Sequence, residues 1–144
     1  MVVERLAGDE ISARQLAALL RLRAEVFVVE QAICCNDLIP AIDCLATTIH
    51  YAIFDADGEA LATLRTYPHE GARKVGRVVT ALPVRGTGLG VALMEAVFAA
   101  EPGRLVLSGQ VAAAGFYERL GFHRVGEIYL EDGIDHVWME RPEH

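Results

Sequence analysis

The sequence predicts a single α/β (α+β) domain, spanning residues 1–144 and built on a mixed, mostly antiparallel sheet of about seven strands with flanking helices. Three observations carry this. Segments of strand and helix periodicity follow one another in the order βα-βββ-α-β-α-ββ. Asp57-Gly58 and Asp132-Gly133 each lie between apolar runs, where Asp-Gly marks a hairpin. One helical segment joins two strands that must run parallel inside an otherwise antiparallel sheet. At 144 residues the chain matches one domain of about 150, long enough to bury roughly 68–70% of its unfolded surface.

The elements follow in order. Val2 to Leu6 is a short strand. Ser12-Ala13-Arg14-Gln15 has the S-x-x-Q form of a capping box. Behind it Leu16, Leu19, Leu20 and Phe27 recur at helical spacing opposite a polar stripe of Arg14, Arg21 and Glu25, so an amphipathic helix runs to about Glu30. A loop from about Gln31 to Thr47 leads to two strands, Ile49–Phe54 and Ala60–Arg65, around the first Asp-Gly turn. A further strand is expected from about Val75 through Leu82. From Leu89 to Ala100 only Glu95 is charged, which predicts a helix buried on most of its circumference and stopped by Pro102-Gly103. Arg104 to Ser108 makes a strand. Val111 to Leu120 makes a helix with Gly121 at its C′ position. His123–Leu130 and Asp135–Arg141 pair around the second Asp-Gly turn.

Composition excludes several classes of function. Apolar residues make up 53% and charged residues 23%, so the chain is not a disordered acidic segment. The longest charge-free stretch, Leu105 to Tyr117, contains Ser, Gly and Gln and falls short of the roughly 20 apolar residues of a membrane span. Glu4 and Arg5 stand where a secretory apolar core would begin, so a cytoplasmic location is expected. The net charge of −7 argues against nucleic acid as the main partner. Against that acidic background, Arg65, Arg73, Lys74, Arg77 and Arg85 with the single acid Glu70 form a basic island, which suits a small anionic ligand or simply a solvated region. Cys34, Cys35 and Cys44 are expected as free thiols, and with His50 they match no recognised metal spacing, so no metal is expected.

The most informative segment runs from Val78 through Thr80 into Arg85-Gly86-Thr87-Gly88-Leu89-Gly90. A strand leads into a turn with three glycines at every second position, and a helix begins at once. Unpaired amides at a helix start lie at the positive end of its dipole. Glycines let that backbone approach a phosphate closely, and Arg85 adds a full charge. The spacing fits neither the dinucleotide fingerprint G-x-G-x-x-G nor the ATP loop G-x-x-x-x-G-K-[ST]. A phosphate or pyrophosphate cradle and a merely tight strand-to-helix turn are the two readings left.

Arg85 to Gly90 is similar to the R-x-x-G-x-G acetyl-CoA pyrophosphate motif of the GNAT superfamily of N-acetyltransferases. Gln110 to Phe122, containing Ala113, Phe116-Tyr117 and Gly121-Phe122, resembles that superfamily's A-x-x-F-Y-x-x-x-G-F helix. Glu25-Val26-Phe27-Val28-Val29-Glu30-Gln31 and Glu131-Asp132-Gly133-Ile134-Asp135-His136 resemble its ElaA-type branch. The resemblance covers residues 16–141. It implies a sheet splayed open between the parallel strands around Val79 and Val106, with acetyl-CoA as cosubstrate. Pantetheine and thioester would lie along Val79 and Thr80, and the pyrophosphate on Arg85, Gly86, Thr87, Gly88, Leu89 and Gly90. Gln110 and Phe116 would complete the binding surface, and Tyr117 would supply the proton to the departing thiolate.

The implied reaction moves an acetyl group to a primary amine on a small molecule or peptide by direct attack. No membrane is involved, and the oligomeric state is not readable. Cys34 or Cys35 as acyl carrier would need an activating base, and none is evident. Glu30, at the end of the first helix, is the first choice as general base, with a water relay as the equal alternative; His136 reads as a structural strand residue. The loop Ile33 to Asp43 departs from the ElaA-type pattern by placing apolar residues where aspartates are expected, so the acceptor is not read from it. That loop favours the rival reading of a non-catalytic acyl-CoA-binding module; a structural protein that binds no CoA is the third.

Overall fold

A computed structural model describes residues 2–32 and 41–143. Seven strands form one sheet: β1 (Glu4–Ala7), β2 (Ile49–Phe54), β3 (Ala60–His69), β4 (Ala72–Thr80), β5 (Leu105–Gln110), β6 (His123–Glu131) and β7 (Ile134–Arg141). Their order is β1-β2-β3-β4-β5-β7-β6, antiparallel except where β4 meets β5. The helix α2 (Leu89–Ala100) makes that one parallel crossover, as the segment order requires. The first helix, α1 (Ala13–Arg23), packs on β3 and β4, and α3 (Ala114–Arg119) follows β5 after a 3-10 turn.

Local signals set these boundaries. Ser12 and Gln15 form the full capping box, each side chain bonding the other's backbone amide at 3.0 Å. Between β2 and β3 the Asp55 carboxylate accepts from the amides of Asp57 and Glu59 and closes the turn. After Arg23 the first helix widens into a π-helix from Ala24 to Glu30, so it ends where expected by a different winding. Its buried face is Leu19, Leu22 and Val26, packed with Ala52, Ala60 and Val79.

A larger core lies on the other face of the sheet, with Tyr51, Ile53, Leu64, Val75, Leu105, Leu107, Val137 and Met139 beneath Leu93, Met94 and Val97 of α2. The helix α2 is buried on one face only, because Val91, Glu95, Ala99 and Ala100 are exposed. Its outer surface is kept apolar by small alanines, which cost little in water, and the expectation of near-complete burial is corrected accordingly.

One irregularity in β4 sets the shape of the sheet. Thr63 pairs with Val79 but Arg65 pairs with Gly76, so β4 carries an extra residue between them, and Arg77 sits at φ 52. An inserted residue switches which face the later side chains occupy. Val75 accordingly joins the α2 core while Val79 joins the α1 core. Beyond the bulge β4 turns away from β5: only Arg73, Lys74 and Val75 pair with Leu105, Val106 and Leu107.

The basic island is largely neutralised by acids from elsewhere in the chain. Arg65 meets Asp43, Arg73 meets Glu101 and Arg85 meets Glu30, while Lys74 stands over the rings of Tyr67 and Trp138. Counting charge along a chain misses partners that the fold supplies. Asp43 is fully buried between Arg23 (2.7 Å) and Arg65 (2.9 Å), with His50 Nε2 2.9 Å from its backbone oxygen. Cys44 is a free, exposed cysteine; Cys34, Cys35 and the loop residues 33–40 lie outside the described residues. Among the described residues no helix is long and apolar enough to cross a membrane.

Candidate active site

The parting of β4 from β5 opens a cleft of about 550 Å³. Its floor is the edge of β4 from Gly76 to Thr80, which has β3 on one side and, among the described residues, no strand on the other. One mouth is the turn from Val84 to Gly90, and the far wall is Leu107 to Gln110 with Phe116 and Tyr117. The end of the π-helix, with Glu30 and Gln31, closes over the opening.

The turn is built as an amide cradle. Gly86 and Gly88 have φ of 78° and 90°, values at which a side chain is strained. Gly88 is the N-cap of α2 and makes no side-chain cap bond, which leaves the first-turn amides unpaired. Gly90 serves a second purpose, because a Cβ there would stand 3.3 Å from the Phe116 ring. Thr87 bonds back to the Val84 carbonyl at 2.5 Å and tightens the loop. With Leu89 opening the helix, the residues fit a phosphate group: the first-turn amides are uncapped, the space beside Gly86 and Gly88 is open, and the dipole has the right sign.

Arg85 lies beside this cradle but is already engaged. Its Nη1 and Nη2 donate to both oxygens of Glu30 at 2.7 Å, and Nε donates to the Thr80 carbonyl at 3.0 Å. The pair holds the Glu30 carboxyl below the usual carboxylate range and the Arg85 guanidinium above its own. A carboxylate so held is a poor proton acceptor. Sequence reasoning named both residues and missed that they form one unit, because 55 positions separate them. Across the same opening Gln110 Nε2 donates to Gln31 Oε1 at 3.1 Å.

Tyr117 lies 7% exposed with its ring edge-on to Phe116 and Phe122. Burial pushes its phenol up to about 12. Its hydroxyl makes no hydrogen bond among the described residues, and the residue lines the cleft. Val79 and Thr80 line it from the β4 side, the second with its carbonyl taken by Arg85. The structure thus brings every predicted site residue except Thr87, which braces the turn, to the wall of one cleft. Among the other lining residues are polar ones that sequence reasoning did not assign to the cleft, including Ser108, Glu131, Asp132 and His136. The Glu131-Asp132-Gly133 stretch was visible as a motif, but only the pairing of β7 with both β5 and β6 carries it to the cleft.

The family model described as "Acetyltransferase (GNAT) domain" matches residues 36–142. The chain belongs to this GNAT family. Among curated proteins, a UPF0039 protein of Mycobacterium tuberculosis is 40% identical over 97% of this chain and 92% of its own length. Protein ElaA of Escherichia coli is 35% identical over 92% of this chain and 91% of its own. Its crystal structure superposes on this GNAT domain with a TM-score of 0.88, covering 98% of this chain and 99% of that one. The crystal structure of an acyl-CoA N-acyltransferase from Pseudomonas aeruginosa matches with a TM-score of 0.87 at 37% identity, covering 97% and 98% of the two chains. The GNAT fold, the splay and the ElaA likeness all agree with what the motifs imply.

Proposed function

We propose that this GNAT domain is an N-acetyltransferase that moves the acetyl group of acetyl-CoA to a primary amine by direct attack, with no acyl-enzyme. The observation that carries the reading is the continuity of the cleft: an open strand edge leads straight to an amide cradle at a helix N-terminus. An extended amide chain ending in a pyrophosphate is complementary to that sequence of groups. The P. aeruginosa relative, itself described as an acyl-CoA N-acyltransferase, supports the donor class.

In this reading the pyrophosphate takes the amides after Gly88, and pantetheine follows Val79 and Thr80. The neutral amine attacks the thioester carbon, and an amide on the β4 edge stabilises the oxyanion. The tetrahedral intermediate collapses as the C–S bond breaks, with Tyr117 donating toward sulfur. Glu30 holds Arg85 in place at the cradle instead of taking the proton.

Two measurements test this. Acetyl-CoA should raise the melting temperature of the wild-type chain, by ligand linkage, and thiol should be released with at least one of a panel of primary amines. A folded Gly88→Val variant should lose the shift, since valine at φ 90° adds bulk and strain where phosphate oxygens approach. An unchanged shift in that variant sinks the cradle assignment. Ligand binding without thiol release would favour the binding-module alternative.

Glu30→Gln separates the two roles of that residue. If it positions Arg85, the Michaelis constant for acetyl-CoA should change and the pH–rate profile should keep its shape. Loss of turnover confined to pH values below the amine's own pKa would return Glu30 to the role of base.

A further inference from the structure

The mechanism above leaves the proton of the incoming ammonium without an acceptor, and it leaves one buried imidazole on the cleft wall without a task. His136 is 6% exposed and lines the cleft. Its Nδ1 is 2.7 Å from the carbonyl oxygen of Ile134. A carbonyl only accepts, so Nδ1 carries a hydrogen and Nε2 is the position that gains or loses a proton. Nε2 lies 3.4 Å from Glu131 Oε2. The contact is one of charge rather than a hydrogen bond, so the Nε2 lone pair is left for a proton from the cleft, and a positive ring is stabilised beside the carboxylate.

The surroundings hold this arrangement in place. Ser108 donates to Glu131 Oε1 at 3.4 Å, and the hydroxyls of Ser108 and Tyr129 share a hydrogen bond. The Tyr129 ring stacks on His136 at 6.3 Å and 25°. The titratable groups facing the imidazole are thus Glu131 and Tyr129 from β6, with Asp132 of the turn on the same cleft wall. Ser108 and Gln110 on β5 carry no charge.

Register gives the placement its meaning. His136 pairs with Gln110 across β5 and β7, so the two share a face of the sheet. Gln110 reaches Gln31 at the end of the π-helix, so that face is the one α1 covers. Tyr117 belongs to the core on the opposite face, under α2. The splay joins the two faces through one cleft. A proton donor for sulfur and a proton acceptor for nitrogen thus stand on opposite sides of the position where the thioester would lie.

We propose that His136 Nε2 takes the proton of the acceptor ammonium, directly or through one water, with Glu131 stabilising the imidazolium that results. The proposal rests on the acetyl-transfer reading. One proton leaves R–NH3⁺ for Nε2, and the neutral amine forms the C–N bond to the thioester carbon. When the C–S bond breaks, the electron pair goes to sulfur, and a second nitrogen proton reaches it through the Tyr117 hydroxyl. The imidazolium then returns its proton to solvent, giving amide, free thiol and one proton.

The test compares wild type, His136→Gln and Glu131→Gln by thiol release from acetyl-CoA across pH. Two acceptors are used, a lysine side chain (pKa about 10.4) and a peptide α-amine (about 7.7–8.0). Acetyl-CoA affinity and melting temperature are measured in parallel. At neutral pH His136→Gln should lose about 10²–10⁴ in kcat, with affinity unchanged. The loss should shrink for the α-amine at pH 9, where that amine is already neutral. Glu131→Gln, a half-exposed and conservative change, should show a smaller loss of the same pH dependence and serves should His136→Gln fail to fold. Folded variants with the wild-type pH profile overturn the role of His136 while leaving acetyl transfer standing. A wild type that binds acetyl-CoA but releases no thiol with either amine overturns both.

Discussion

Asp43→Asn should destabilise the domain by about 3–5 kcal/mol, the range for removing one partner from a buried ion pair. The carboxylate is the only acid among the described residues that faces Arg23 and Arg65. Nε and Nη2 of Arg23 and Nε of Arg65 already have no hydrogen-bond partner among those residues, so the cluster has no reserve acceptor. An asparagine amide would also turn a donor toward a donor. The denaturation midpoint is the check, and a fall in melting temperature of about 10 °C or more is expected. A variant as stable as wild type would mean that the two guanidinium groups are satisfied by water.

The same cluster fixes how stability depends on pH. Burial alone would raise the Asp43 carboxyl, but Arg23 and then Arg65 outweigh it and hold it below the usual range. Its stabilisation is therefore complete above the unfolded-state value of about 3.9 and is lost as pH falls through the lower folded-state value. His50 behaves differently. Burial lowers its imidazole against the opposing pull of Asp43, so the unfolded chain takes the proton first, and stability begins to fall below about pH 6.5. Acid unfolding should show both stages in wild type, with the lower one gone in Asp43→Asn.

The second large effect concerns the reaction. Tyr117→Phe should lower kcat by roughly 10²–10⁴, the contribution typical of one acid–base group, with thiol release from acetyl-CoA as the measurement. Stability should barely change, because the ring contacts with Phe116 and Phe122 remain and the hydroxyl has no hydrogen-bond partner among the described residues. With the phenol at about 12, the hydroxyl stays protonated and able to donate throughout the working range. Near-wild-type turnover would leave Tyr117 as a packing residue.

The sequence made legible whatever is written within a few residues. The capping box at Ser12, the turn after Asp55 and the bounds of α2 all rest on neighbours, and each stands where the pattern put it. The glycine turn was legible for the same reason. What escaped depends on distance. Arg23 meets Asp43 across 20 positions and sits on a helix face that otherwise reads as apolar. Glu30 and Arg85 meet across 55. The bulge at Arg77 has no local mark beyond Gly76, yet it decides which core Val79 enters. His136 was seen as a strand residue, which it is; its place on the cleft wall follows from two ladders at once.

The three-position ladder between β4 and β5 also governs how the domain breathes. Amides of Leu105 to Leu107 lie between two neighbouring strands in the middle of the sheet, where exchange with solvent ordinarily requires the deepest opening. A few residues along, the amides of Gly76 and Val78 to Thr80 that point away from β3 face no strand among the described residues. Hydrogen exchange should therefore find a fast seam running through the centre of the domain, beside its slowest strand. Only three ladder positions join the two halves of the sheet, but the core beneath α2 spans them, so the fast exchange should stay confined to the open end of the seam, where motion widens the cleft.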